Sequence, residues 1–272
     1  GNQNFLRVED KELRLACVEI YNDWMNDLQN RSGDRILPMA LVPWWDIDAC
    51  VAEVDRMQRN GAKGIVMCSN PHDSGMPNFA QPEWRPFWEI CESLKVPINF
   101  HIGASEGDIN WSGTVPYDTW SGDVKISLAG AAIFLGQLRW MANLLVSDVP
   151  ERYPDLKFVS VESGVGWIPF LLDALDYQCG ETAPEHLAHL SMKPSEYFRR
   201  QFYGCFWFES KTLGPAIDHL GPDRIMFETD IPHPTCLYPH SVERVRDAIS
   251  ELSPAVQKKI LQDNAAELYG IE

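Results

Sequence analysis

The sequence predicts an α/β fold in which helices cover a parallel sheet. Two observations carry this prediction: short apolar runs recur along the chain, and segments with helical spacing lie between them. Short uninterrupted apolar runs indicate strands that are buried on both faces, as the strands of parallel sheets are. The six runs are residues 36–42, 64–68, 97–102, 158–161, 202–208 and 225–227.

The helices are predicted from apolar residues that return every three or four positions. This pattern occurs in residues 47–57 and, with the same offsets, in residues 84–94. It returns in residues 242–252. A last helix is predicted to begin at Ser253-Pro254, because proline is favoured in the first turn of a helix.

A parallel sheet of this kind either closes into an eight-stranded barrel or stays open. The length of 272 residues favours the barrel, and no glycine-rich phosphate loop follows the first run, where Pro43-Trp44-Trp45 stands. No low-complexity linker divides the chain, so we predict a single domain over residues 1–272. Six strands are two fewer than the eight of a barrel. Either the sheet is open, or two strands precede residue 1.

Composition and charge exclude several classes of partner. The formal net charge is −16, whereas nucleic acids are bound by clustered Lys and Arg, so no nucleic-acid partner is expected. No apolar stretch approaches the roughly 18 residues of a membrane span, so no membrane partner is expected either. Seven scattered cysteines without a CxxC pair indicate a reducing, cytoplasmic location. The sequence does not determine the oligomeric state, and a homodimer is one expectation.

Polar residues at the ends of the predicted strands are the candidates for chemistry, because barrel active sites form at the carboxyl ends of strands. Three stand out: His101, Glu162 and Asp230. Imidazole nitrogen and carboxylate oxygen are ligands of Zn²⁺ and similar ions. Each residue also has an ordinary structural explanation: a hydrogen-bonded imidazole for His101, a helix cap for Glu162 and a turn former for Asp230.

Three further residues are candidates for binding a small-molecule substrate. His233 lies in a proline-rich loop, where it either lines a pocket or is solvated. Trp111 lies in the segment 103–123, whose Gly and Ser content predicts a loop that closes over an apolar or aromatic substrate. Alternatively, its aromatic residues pack beneath the loop. Trp44 follows the first predicted strand.

Four segments together resemble the amidohydrolase-related family, in the branch of aminocarboxymuconate semialdehyde decarboxylase and resorcylate decarboxylase. They are PINFHIG at 97–103, WIP at 167–169, DRIMFETDIPH at 223–233 and NAAELYG at 264–270. The resemblance implies a (β/α)8 TIM barrel of the metal-dependent hydrolase type. In that family the ligands are an HxH pair on strand one, a His on strand five and an Asp on strand eight.

The resemblance also assigns positions in this chain. His101 resembles the strand-five ligand and Asp230 the strand-eight ligand, which makes the first visible strand the third. No His-X-His occurs in the sequence, so we expect the chain to lack the first two strands together with that pair. Glu162 stands where these decarboxylases carry a His, followed by glycines, as proton carrier. We expect Glu162 to act as a base or as an added ligand.

These expectations define an enzyme that holds a divalent metal ion, predicted to be Zn²⁺, through His101 and Asp230. Asp230 and Glu162 are the predicted catalytic residues, which move the proton of a metal-bound water. The reaction is hydrolysis or non-oxidative decarboxylation of a small aromatic or unsaturated carboxylate. The alternative is a non-catalytic, metal-free barrel that acts as a scaffold or a small-molecule binding protein. The missing HxH pair and the presence of Glu162 favour that alternative, whereas the intact His101 and Asp230 oppose it.

Overall fold

The structure, a computed structural model, describes residues 2–271. The chain divides into two compact units, with the boundary between Phe158 and Val159. Within residues 2–271, six strands alternate along the chain with twelve α-helices, which confirms the predicted α/β class. That the chain is a single domain stays a prediction.

The first unit contains three parallel strands, and Ile65 is paired with Ala40 on one side and Ile98 on the other. Short 3-10 helices occur at Asn2–Arg7, Pro71–Ser74 and Pro82–Trp84. The other elements of this unit are, in chain order, α1 (Lys11–Ser32), β1 (Ala40–Leu41), α2 (Ile47–Arg59), β2 (Ile65–Met67), α3 (Arg85–Ser93), β3 (Ile98–His101), α4 (Glu106–Thr114), α5 (Gly122–Leu145) and α6 (Val149–Arg152).

The rest of the chain continues the alternation, and β5 pairs in parallel with β6 through Gly204 and Ile225. A π-helical turn, Lys259–Asp263, joins the last two helices, and Pro222–Arg224 is a 3-10 helix. The elements are β4 (Phe158–Val161), α7 (Ile168–Thr182), α8 (Pro194–Gln201), β5 (Phe202–Phe206), α9 (Leu213–Leu220), β6 (Ile225–Phe227), α10 (Ser241–Ala248), α11 (Pro254–Lys258) and α12 (Asn264–Tyr269).

All six predicted strands are present, although the first is much shorter than its apolar run. The run covers residues 36–42, whereas β1 is only Ala40–Leu41. Pro38 has no backbone N–H to donate to a ladder, and Ile36 is 49% exposed, so neither residue belongs to a buried strand. The predicted helices in residues 47–57, 84–94, 242–252 and from Pro254 onward are confirmed.

Buried aromatic rings form the core around α3. Trp84, Phe87 and Trp88 are at most 1% exposed and pack edge to face or tilted, with ring centroids 5.0–6.5 Å apart. Phe100 of β3 stacks on Trp140 of α5 at 4.0 Å. Aromatic residues each bury a large apolar area, so this cluster fixes α3 and α5 on the strands. In the second unit, the smaller core is Val159, Tyr203, Cys205 and Met226.

The expectation of an open loop at residues 103–123 is wrong, because α4 occupies its centre. Ser105 caps this helix by accepting the N–H of Asp108 at 3.3 Å. The Asp108 side chain is buried and accepts a hydrogen bond from Arg139 of α5 at 3.1 Å, while Arg139 also pairs with Asp73 at 2.7 Å. These tertiary contacts stabilise a segment whose glycines oppose helix formation.

One helix among the described residues, α5 (Gly122–Leu145), has the length and apolar composition of a membrane span. Core helices of other proteins meet the same criterion, so the observation is weak evidence for a membrane. All seven cysteine thiols are free.

A side-chain amide binds the edge of β1 that faces away from β2. The N–H of Leu41 donates to Asn22 Oδ1 at 2.9 Å, and the Leu41 carbonyl accepts from Asn22 Nδ2 at 2.8 Å. Asn22, which is fully buried on α1, therefore makes the pair of hydrogen bonds that a neighbouring strand would make. Its Nδ2 also donates to Glu53 Oε1 at 2.6 Å.

We predict that Asn22→Ala lowers the free energy of unfolding by about 2–4 kcal/mol, because it leaves the backbone N–H and carbonyl of Leu41 without these partners and removes one hydrogen bond from the buried Glu53 carboxylate. Urea unfolding followed by circular dichroism measures the loss. Asn30→Ala, an exposed position on the same helix, is the control and should change stability by less than about 0.5 kcal/mol. Equal effects of the two substitutions would contradict this role for Asn22.

Candidate metal and active site

The segment after β6 folds back so that an imidazole meets a carboxylate. Asp230 has φ +56°, a left-handed conformation that few non-glycine residues adopt and that Asp tolerates. The N–H of His233 donates to the Asp230 carbonyl at 2.9 Å, and His233 Nδ1 lies 2.6 Å from Asp230 Oδ1. Thr235 Oγ1 donates to the other carboxylate oxygen, Asp230 Oδ2, at 3.3 Å.

A second carboxylate reaches the same imidazole from the end of β4. Glu162 directly follows β4 and has φ +63°, and its Oε1 lies 3.1 Å from His233 Nδ1. One potential ligand atom from each of Glu162, Asp230 and His233 lies within 4.8 Å of the other two. The carboxylate side chains of Glu162 and Asp230 are 11% and 5% exposed, whereas the His233 side chain is 57% exposed.

Two more carboxylates hold the backbone around Glu162. Both oxygens of Glu228 accept the N–H of Glu162, at 3.0 and 3.2 Å. Glu209 Oε1 accepts the N–H groups of Val165 at 2.5 Å and Gly166 at 3.0 Å. The turn formed by residues 162–166 is therefore bound to a carboxylate at each end.

The charges of this region perturb its protonation equilibria. Burial raises the pKa of Glu228 to about 8, with the nearby Glu162 and Asp230 carboxylates acting in the same direction. Burial also raises the pKa of Glu209. The hydrogen bond with Asp230, followed by the charge of Glu162, raises the pKa of His233. Each shift keeps a proton in a region that is rich in negative charge.

The donor set fits a divalent metal ion. Two shielded carboxylates close together are stabilised by a proton or a cation, and imidazole nitrogen with carboxylate oxygen is a combination that Zn²⁺ and Mn²⁺ accept. The three donors converge on one point, as a shared ion requires. The sequence predicted His233 as a substrate contact, and the structure places it among these donors.

The other predicted site residues lie in the first unit. His101 ends β3, its Nδ1 is 2.8 Å from the Ile102 carbonyl, and it lines a cavity of about 420 Å³ together with Tyr21. Trp44 is 1% exposed and packs edge-on against Trp45, and Trp111 is 45% exposed on α4. That His101 and Asp230 share one ion stays a prediction, as does substrate binding by the two tryptophans.

Sequence reasoning included Glu209 among the polar residues at strand ends but did not single it out, and it missed Glu228. Glu228 follows a predicted strand and lies two residues before Asp230, so the strand-end rule could have included it. The function of Glu209 and Glu228 is visible only in the structure, because they bind backbone N–H groups of a turn remote in sequence.

The fold and the site define a class: parallel α/β enzymes that assemble a metal-binding group of His, Asp and Glu at the ends of strands. The sequence model described as amidohydrolase matches residues 8–271. The chain belongs to the amidohydrolase family.

Similar proteins include several decarboxylases. A gamma-resorcylate decarboxylase of Polaromonas sp. (strain JS666) is 26% identical over 260 residues, which covers 91% of this chain and 74% of that protein. The crystal structure of a 5-carboxyvanillate decarboxylase from Sphingomonas paucimobilis matches with a TM-score of 0.74 at 23% identity, over 97% of this chain and 76% of the other. A dihydroxybenzoic acid decarboxylase from Polaromonas sp. JS666, with bound manganese and the inhibitor 2-nitroresorcinol, matches with a TM-score of 0.71 at 23% identity, over 96% and 77%.

These findings confirm the predicted TIM-barrel fold class, of which the described residues contain six strands. They also confirm the predicted family and a metal-dependent enzyme of that family. The alternative of a non-catalytic scaffold is not supported. Among the described residues, Glu162, Asp230 and His233 form a group that could hold a divalent metal ion.

We predict that the stability of the metal-free protein falls as pH rises from about 5 to about 8. The pKa of Glu228 is raised from 4.5 to about 8, so the folded state binds this proton more tightly than the unfolded state does. The resulting stabilisation is complete below pH 4.5 and is lost as pH rises through the folded pKa.

The Glu228→Gln protein lacks the titrating carboxyl group, so its free energy of unfolding should decrease less as pH rises. Urea unfolding at several pH values measures this pH dependence. Glu243→Gln, at an exposed position on α10, is the control. If the free energy of unfolding depends on pH as strongly in the Glu228→Gln protein as in the control, Glu228 is not the source of this pH dependence.

Proposed function

We propose that this chain catalyses the metal-dependent, non-oxidative decarboxylation of a small aromatic carboxylic acid that carries a neighbouring hydroxyl group. The observation that carries the proposal is the convergence of Glu162, Asp230 and His233 at the ends of β4 and β6. The decarboxylase names of the relatives, and of the matching structures, support this reaction over hydrolysis.

The reaction breaks the bond between the ring and the carboxylate group. The electron pair stays on the ring carbon, which takes up one proton, and carbon dioxide leaves. The protein must therefore deliver a proton to carbon. We assign this delivery to Glu162, whose shielded carboxylate contacts the exposed imidazole of His233 at 3.1 Å. His233 can exchange protons with water and pass them to Glu162.

Asp230 is the group that we assign to holding the ion, whereas His233 is assigned to proton exchange because its Nδ1 contacts both carboxylates. When bound, a divalent ion supplies Lewis acidity that favours an anionic substrate. The left-handed backbone at Asp230 and the hydrogen bond from Thr235 fix the orientation of the carboxylate. The carboxylate content of the donor set favours Mn²⁺, the ion bound in the Polaromonas structure, over the Zn²⁺ predicted from sequence.

A cavity beside Asp230 fits the proposed substrate class. Its volume is about 590 Å³, and Thr235, which bonds Asp230, is part of its wall. The wall combines apolar surface from Trp207, Phe208 and Leu237 with two cationic side chains, Lys211 and Arg244, and three acidic ones, Glu209, Asp247 and Glu251. Aromatic side chains can pack against a ring, and Lys or Arg can pair with its carboxylate.

The direct test uses metal-free protein reconstituted with Mn²⁺ or with Zn²⁺. Release of labelled carbon dioxide is measured with 2,6-dihydroxybenzoate, 5-carboxyvanillate and related acids, in parallel with hydrolysis of ester and lactone panels. Decarboxylation that requires added metal is the expected result. Hydrolysis without decarboxylation would show that the protein is a hydrolase and would overturn the proposed reaction. Greater activity with Zn²⁺ than with Mn²⁺ would overturn the assignment of Mn²⁺ as the metal ion.

We predict that Asp230→Asn lowers kcat by about 10²–10⁴-fold and weakens metal retention. The fold should be retained, because Asn also tolerates the left-handed conformation. Steady-state kinetics and elemental analysis check both effects. Asp218→Asn, at an exposed position on α9, is the control, and wild-type turnover in Asp230→Asn would remove Asp230 from the site.

We also predict that Glu162→Gln retains the metal ion but lowers kcat by about 10²–10³-fold, because an amide cannot move a proton. The same kinetic and elemental measurements apply. Loss of metal in this variant would make Glu162 a ligand, and normal turnover would assign proton delivery to another group.

A further inference from the structure

We propose that Glu228 and Glu209 are positioning residues, which hold the 162–166 turn so that the Glu162 carboxylate faces His233. The proposal rests on the proposed function for the catalytic meaning of Glu162. The structural effect itself is independent of which reaction the protein catalyses.

The backbone of the 162–166 turn includes left-handed conformations that need stabilising contacts. Glu162 and Gly164 both have positive φ, +63° and +70°, with Ser163 between them. A non-glycine residue keeps a left-handed conformation only where the surrounding contacts enforce it. Alternating conformations of this kind also point backbone N–H groups toward one side, where they bind anions.

Glu228 supplies the contact at the first residue of the turn. Both of its carboxylate oxygens lie within hydrogen-bond distance of the Glu162 N–H, at 3.0 and 3.2 Å. Because the N–H and the side chain share the same Cα atom, a fixed N–H direction limits where the Glu162 carboxylate can point. Its Oε1 lies 3.1 Å from His233 Nδ1.

Glu209 supplies the contacts at the other end of the turn. It is 7% exposed and accepts two consecutive N–H groups, from Val165 and Gly166. A Cβ atom at Gly164 would lie 2.4 Å from Glu209 Oε1, so the carboxylate is packed directly against the turn. Gly164 thus has two reasons to be glycine, its positive φ and this close approach.

The test compares Glu228→Leu, which removes the acceptor, with Glu228→Gln, which keeps one. In the crystal structure of the metal-free Glu228→Leu protein, we expect the distance from Glu162 Oε1 to His233 Nδ1 to exceed hydrogen-bond range. We expect kcat to fall about 10–100-fold, since small misplacement of a reacting group is costly, with KM and metal affinity changed less than about threefold. Glu228→Gln should restore the contact and most of kcat.

A Glu228→Leu protein that keeps both the Glu162–His233 contact and wild-type kcat would overturn the proposal. So would equal losses in the Gln and Leu variants. The distance is decisive even if no decarboxylation is found, so failure of the proposed function is distinguishable from failure of this inference.

If Glu228→Leu does not fold, Gly164→Ala tests the same turn from the Glu209 side. The added methyl group should displace the turn and lengthen the Glu162–His233 distance. An unchanged distance would overturn the proposal. Gly180→Ala is the matched control, because a Cβ atom there meets nothing within 4 Å.

Discussion

The contact of two shielded carboxylates with one imidazole is the constraint on which the candidate site depends. Glu162 and Asp230 both approach His233 Nδ1, and Glu228 and Glu209 lie against the neighbouring backbone. Negative charge removed from water is costly unless a proton or a cation compensates it. The raised pKa values of Glu228 and His233 show how the metal-free protein compensates, by retaining protons. Binding of a divalent ion would release such protons, so metal binding and pH are linked here.

Backbone strain is concentrated at the same place. Four non-glycine residues among those described have positive φ, and two of them are Glu162 and Asp230. Such conformations cost on the order of 1–3 kcal/mol each and persist where surrounding contacts enforce them. At Glu162 the contact is the Glu228 carboxylate, and at Asp230 it is the hydrogen bond from the His233 N–H. Glu162 and Asp230 are also the two predicted catalytic residues, whereas the other two, Asp34 and Lys95, have no predicted role in the site.

The sequence predicted the strands well, because apolar runs bounded by polar residues depend on local composition. It predicted Glu162 and Asp230 for a related reason, since topology places the carboxyl ends of parallel strands at one edge. It failed at α4, where the Asp108 contact with Arg139 overrides a glycine-rich composition. It did not reveal the roles of Glu209 and Glu228, because an acceptor for a backbone N–H leaves no pattern in the sequence.

The exchange of His for Glu at position 162 alters the site less than the sequence comparison implies. The resemblance implies an imidazole at the end of this strand, whereas a carboxylate stands there in this chain. Because the backbone at Asp230 is left-handed, the chain turns and places His233 Nδ1 3.1 Å from Glu162 Oε1. The imidazole now reaches the site from the segment after β6, where its side chain is 57% exposed. In the proposed reaction, a proton enters from water at His233 and Glu162 delivers it to the substrate, which would separate proton uptake from proton delivery.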